Sequence, residues 1–144
     1  MLKVPLICAV LLSISISHSS ALLDKKDYGT KALELANHLH NTCINRSKTD
    51  DATIQKIQVG NFVEDDKIKK YITCLWTESN VVDADGTMKI EVLGEIMPPK
   101  VKESHPKFVA QCWKRVQGVT PLDEKIYELT KCLFEVNPEE FVMF

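Results

Sequence analysis

"KKYITCLW", residues 69–76, sets Cys74 one turn after Lys70 in a stretch whose apolar residues repeat at helical spacing. Ile68, Tyr71, Ile72 and Leu75 share one side, and the acids of "EDD" (64–66) fall in the first turn, where they suit the helix dipole. A cysteine on the inner stripe of an amphipathic helix points to a covalent partner on another helix.

The chain of 144 residues has five cysteines, and the first, Cys8, lies in a segment that is not part of the fold. "MLKVPLICAVLLSISISHSSA" (1–21) carries one cation, Lys3, then an apolar run from Val4 to Ile16, then small and polar residues. That is the order of a secretory signal peptide, with a cut expected after Ala21. The run is too short for a comfortable membrane span, and no later segment is apolar for long enough. Residues 22–144 are therefore expected to form one exported domain, without membrane insertion. Loss of Lys3 moves the net charge from −2 to −3. With two arginines, Arg46 and Arg115, and no basic run, nucleic acid is not an expected partner.

Cys43, Cys74, Cys112 and Cys132 remain, an even number that argues for two disulfides in any of three connectivities. There is no C-x-x-C pair, and His38, His40 and His105 stand at no zinc-site spacing to the cysteines, so no metal is expected.

The rest reads as helices. In "TKALELANHLHNTC" (30–43), Ala32, Leu35, Ala36, Leu39 and Cys43 follow one face. "DDATIQKIQVG" (50–60) has an aspartate to cap it and Gly60 to stop it. "TMKIEVLGEIMPP" (87–99) repeats Ile90, Leu93, Ile96 and Met97 until Pro98 ends it. "HPKFVAQCWKRVQG" (105–118) carries a stripe of Phe108, Val109, Cys112, Trp113 and Val116. "PLDEKIYELTKCLFEVNP" (121–138) carries Leu122, Ile126, Leu129, Leu133 and Phe134. With the stretch around Cys74 this predicts an all-α fold, a compact bundle of about six short helices.

The signal peptide, the helix count and the cysteine spacing together resemble the insect odorant-binding proteins of the pheromone-binding and general-odorant-binding family. Members carry six cysteines, with three residues between the second and third and eight between the fifth and sixth. Cys43 matches the first, Cys74 the third, Cys112 the fourth and Cys132 the sixth. The missing second and fifth fall at Lys70 and Asp123, as in the four-cysteine, minus-C subgroup. "IQVGNFVEDDKIKKYITCL" (57–75) and "VVDADGTM" (81–88) resemble further family segments. The resemblance implies the pairs Cys43–Cys74 and Cys112–Cys132, and the loss of one whole bridge with no stranded thiol. Lys70 and Asp123, opposite in charge, are expected to form an ion pair where that bridge would stand.

The resemblance also implies an internal apolar cavity for a small lipophilic ligand. The lining residues expected are Phe62, Ile72, Trp76, Met88, Leu93, Ile96, Val109, Trp113, Phe134 and Phe141, with Tyr127 offering a hydroxyl. The tail "EEFVMF" (139–144) is apolar enough for Phe141, Val142 and Phe144 to fold over the cavity as a wall. His38, His40 or His105 would be the groups to couple release to acidification. "NRS" at Asn45, and more weakly "NTC" at Asn41, have the form of a glycosylation acceptor.

Catalytic chemistry is not visible. There is no G-x-S-x-G elbow, H-E-x-x-H pair or phosphate-binding glycine loop, and "DADG" lacks the acidic first and twelfth positions of a calcium loop. No catalytic residue, metal or cofactor is expected. The expectation is a non-enzymatic carrier in an extracellular fluid such as sensillum lymph or haemolymph. It would be a monomer or weak homodimer that serves a membrane chemoreceptor indirectly. A secreted helical signalling protein with a solid core is the competing reading.

Overall fold

A computed structural model describes residues 23–144, and the segment read as a signal peptide lies outside them. The six helices are α1 (Gly29–Ser47), α2 (Asp51–Gln58), α3 (Asp66–Glu78), α4 (Ile90–Ile96), α5 (His105–Arg115) and α6 (Leu122–Val136), flanked by short 3-10 turns at Lys25–Asp27 and Pro138–Glu140. Among the described residues the only β pairing is an isolated bridge between Val82 and Met88.

Local chemistry sets the helix ends. Asp50 accepts from the Thr53 N–H and so caps α2, and Asp65 accepts from the N–H groups of Lys67 and Ile68 to cap α3. Gly60 turns the chain after α2 at a φ of +83°. A methyl group there would stand 2.3 Å from the Phe134 ring, so this turn needs glycine for space as well as for conformation.

α3 is the spine. It packs on α1 along one side and on α6 along the other, while α5 bridges α6 and α4. Leu39, Ile57, Ile68, Tyr71, Ile72, Val109, Ile126, Tyr127 and Leu129 are fully buried between these helices. Cys43–Cys74 joins α1 to α3, and Cys112–Cys132 joins α5 to α6.

No covalent link joins α3 to α6. The ion pair expected between Lys70 and Asp123 is not among those of the described residues. Lys69 takes that place, with its Nζ 2.7 Å from Glu64 and 2.7 Å from Glu124. The reason is the face of the helix. Lys69 is 8% exposed and lies over the Tyr127 ring, whereas Lys70 is exposed. Hydrogen bonds to Glu124 and then Glu64 hold the Lys69 ammonium above the ordinary lysine range. Lys131 completes the cluster against Glu64 and Glu128. Among the described residues no helix is long and apolar enough to cross a membrane.

Candidate functional site

A narrow apolar cavity lies at the end of α3 and α6, away from the Lys69 cluster. α3 contributes Leu75 and Trp76, with Ser79 and Val81 just beyond its end. α4 contributes Leu93 and Ile96, followed by Met97. Thr130 and Leu133, three residues apart on α6, form another side, and His105 enters as the first residue of α5. The last wall is not helical. Phe141, Val142, Met143 and Phe144 follow the Pro138–Glu140 turn without regular secondary structure and form that wall.

Three kinds of contact hold this tail. The Phe141 ring packs edge-on against Phe134, and the Phe144 ring edge-on against Tyr28. The Tyr71 hydroxyl donates to a main-chain oxygen of Phe144 at 3.2 Å. The Ser104 hydroxyl donates to the Glu140 carboxylate at 2.5 Å, which ties the preceding turn to the start of α5.

The wall is almost free of charge. Ser79 donates its hydroxyl to the Trp76 carbonyl and Thr130 to the Ile126 carbonyl, so both are satisfied within their own helices. His105 is the one ionisable side chain in the lining and is 3% exposed. Burial pushes its ring down to about 4, opposed by the charge and main chain of Glu140, so at neutral pH the ring is uncharged.

The cavity volume is about 30 Å³, room for about one water molecule. Two larger hollows share lining residues with it. A groove of about 570 Å³ runs between the start of α1 and the turn after α4, and shares Ile96 and Met97 with the cavity. A recess of about 140 Å³ beside Leu23 and Tyr28 shares Phe141 and Met143.

A helical bundle with two such bridges around an apolar hollow has known relatives. Residues 25–136 match the PBP/GOBP family. The chain belongs to that family. It is 25% identical over 111 residues to the B2 protein of Tenebrio molitor, covering 76% of this chain and 84% of that one. Among solved structures, an odorant binding protein of Locusta migratoria superposes with a TM-score of 0.65 at 26% identity, covering 74% of this chain and 81% of that one. Odorant binding protein 5 of Apis mellifera shares the fold, with a TM-score of 0.68 at 18% identity, over 85% of this chain and 99% of that one.

Within this family fold, four of the residues expected from sequence stand in the cavity wall: Trp76, Leu93, Ile96 and Phe141. The others are placed elsewhere. Ile72 and Val109 are fully buried in the core, against protein on all sides. The Tyr127 hydroxyl donates to the Val63 carbonyl at 2.5 Å, and Tyr127 is not part of the cavity wall. Phe62 stacks edge-on between Tyr127 and Phe134, and Phe134 sits over Gly60. Met88 belongs to the bridge with Val82, and Trp113 lies half-buried under Lys125.

Helical periodicity tells which residues face inward, but not whether atoms or space stand opposite. It therefore does not pick out Leu75, Ser79, Met97, Thr130 or Leu133 as lining. Of the tail residues singled out in the sequence, Phe141, Val142 and Phe144 all line the cavity, and Met143 joins them. Of the three histidines only His105 reaches it. His40 meets the Tyr71 hydroxyl at 3.0 Å and Asp51 at 3.4 Å, and His38 is exposed.

Proposed function

We infer that this protein binds small hydrophobic molecules reversibly and carries them, making and breaking no covalent bond. The observation that supports this most is the cavity: a hollow lined by mostly apolar side chains in a fold of the odorant-binding family, bounded on one side by four tail residues rather than by a helix. A solid-core signalling protein would have no use for an apolar hollow walled by a non-helical chain segment.

The volume bears on how a ligand is taken up. About 30 Å³ is well below the ~150 Å³ apolar cavity that accepts benzene. A guest must therefore displace something, and the tail is the wall that can yield without breaking a helix or a disulfide. Met97 and Met143, whose flexible side chains adapt to irregular shapes, separate the cavity from the groove and the recess. Burying a ligand of ten carbons contributes roughly 8 kcal/mol at about 0.8 kcal/mol per CH₂, before the costs of ordering and of moving the tail. Micromolar affinity is therefore the tight limit without a charged anchor, and the costs of ordering and of moving the tail weaken it from there.

On this reading the chain is exported by cleavage after Ala21. It works in an extracellular fluid such as sensillum lymph or haemolymph, as a monomer or weak homodimer, and meets a chemoreceptor only through its cargo. Displacement of a fluorescent apolar probe by a panel of lipophilic compounds tests the core of it. Saturable uptake with micromolar displacement is expected. Absence of any saturable uptake would instead favour the signalling protein with a solid interior.

A further inference from the structure

The groove between the start of α1 and the turn after α4 is far roomier than the cavity behind the tail. Its volume of about 570 Å³ lies within the roughly 300–1,000 Å³ of small-molecule sites. Leu35, Ile96, Met97 and Pro99 give it apolar walls, and Ile96 and Met97 line the cavity as well. Three charged side chains complete it: Lys31 from the first turn of α1, Glu95 from α4, and Lys102 from the turn before α5. All three are exposed. None of them enters the ion pairs among the described residues, which engage other lysines and acids. The contrast is with Lys69 and Lys131, which share three carboxylates between them. The groove thus sets two ammonium groups without a carboxylate partner beside an apolar wall, two cations against one anion.

We propose that this groove binds small anionic amphiphiles, such as medium-chain carboxylates, with the chain on Leu35, Ile96 and Met97 and the acidic head at Lys31 and Lys102. This rests on the reading of the protein as a carrier of small hydrophobic molecules, and adds the charged anchor that the cavity lacks. A neutral alcohol or ketone gains from the apolar wall alone. An acidic head gains from the ammonium groups too. Because both lysines are exposed, the head meets them in contact with water and avoids the cost of burying a charge.

The test is calorimetric titration of the full mature chain with decanoate and with decan-1-ol at neutral pH, in low and in high salt. The quantity read is the ratio of the two affinities, which cancels whatever a substitution does to apolar binding. At an ionic strength of about 0.01 M the wild type is expected to bind decanoate about three- to tenfold more tightly, the worth of one or two exposed ion pairs. In about 1 M salt, which screens charges beyond about 3 Å, the ratio falls towards one. Lys31→Glu combined with Lys102→Glu brings it below one, and Glu95→Gln raises it about two- to threefold. Lys114→Glu, an exposed position outside the groove, makes the same charge change as either single replacement and leaves the ratio nearly unmoved. The wild-type salt response decides the matter even if a variant folds poorly. A wild-type ratio of about one, a ratio that salt does not lower, or one untouched by the double variant overturns the proposal while leaving carriage of neutral ligands intact. An equal fall in Lys114→Glu overturns it too, by assigning the effect to net charge. Binding of neither compound overturns carriage and the proposal together.

Discussion

Two parts of this molecule enclose the same hollow by different means. The helical shell is pinned: Cys43–Cys74 fixes α1 to α3, and Cys112–Cys132 fixes α5 to α6. The wall made by Phe141–Phe144 has no regular backbone hydrogen bonding, and is held by ring contacts, the Tyr71 hydroxyl and the Ser104–Glu140 link. Displacing a helix of the shell would expose the core. Displacing the tail exposes four apolar side chains, and an apolar guest entering behind it replaces much of that contact. The protein thus separates stability, which resides in the shell, from exchange, which resides in the tail.

The strongest way to break this contrast is to loosen the shell. Replacing Cys43 and Cys74 together by alanine should cost about 3–4 kcal/mol, and replacing Cys112 and Cys132 about 3 kcal/mol, from the loop-closure entropy regained by the unfolded chain. Urea unfolding of the variants measures both. A loss below 1 kcal/mol in each would mean that packing alone secures the bundle.

Acid attacks the joint between shell and tail. The folded-state value of His105 is about 4, below its ordinary 6.5. The unfolded chain therefore takes up a proton on this residue before the folded one does. Stability is fully present above pH 6.5, falls as pH drops through the interval to 4, and loses at most about 3 kcal/mol from this group. His105→Phe should flatten that part of a stability–pH curve. An unchanged slope would mean that the ring is solvated rather than buried.

Gly60 tests the shell at a single point. Gly60→Ala adds a methyl group 2.3 Å from a Phe134 ring that Phe62 and Phe141 hold in place, at a φ of +83°. Overpacking and backbone strain together should cost about 2–3 kcal/mol in thermal unfolding. Because Phe134 supports Phe141, ligand release should also quicken. A stability change without any change in release would separate the ring stack from the tail.

The smallest expected effect concerns the unbridged joint between α3 and α6. A double-mutant cycle on Lys69 and Glu124 should show coupling of about 1 kcal/mol or less, since Glu124 is partly exposed. The same cycle on Lys70 and Asp123 should show about zero.

That last pair also shows how far the sequence could be read. The aspartates at 50–51 and the acids at 64–66 mark the neighbourhood where α2 and α3 start, though Glu64 and Asp65 precede α3 rather than sit in its first turn. The three-and-four spacing of apolar residues marks α1, α3, α4, α5 and α6. Both signals are local. The two disulfide pairs were accessible through family resemblance and not through spacing. Lys70 and Asp123, the places of the absent bridge, predict an ion pair there, but a cysteine position records where backbones approach. A lysine reaches several ångströms further, so the partners are the residues whose faces converge, Lys69 and Glu124. The cavity was the least legible feature. Trp76 and Ile72 lie four residues apart on α3, yet one borders space and the other borders atoms. That difference depends on where α4 and the tail come to rest.

Trp76 lines the cavity and Trp113 lies outside it, which gives the most direct test of the central claim that ligands lodge behind the tail. The measurement is titration of Trp113→Phe, whose remaining indole is Trp76, with decan-1-ol while tryptophan emission is followed. The account predicts a saturable change in Trp76 emission at micromolar ligand, and none in Trp76→Phe with Trp113 as reporter. A saturable response confined to Trp113 would place the ligand elsewhere and contradict the account.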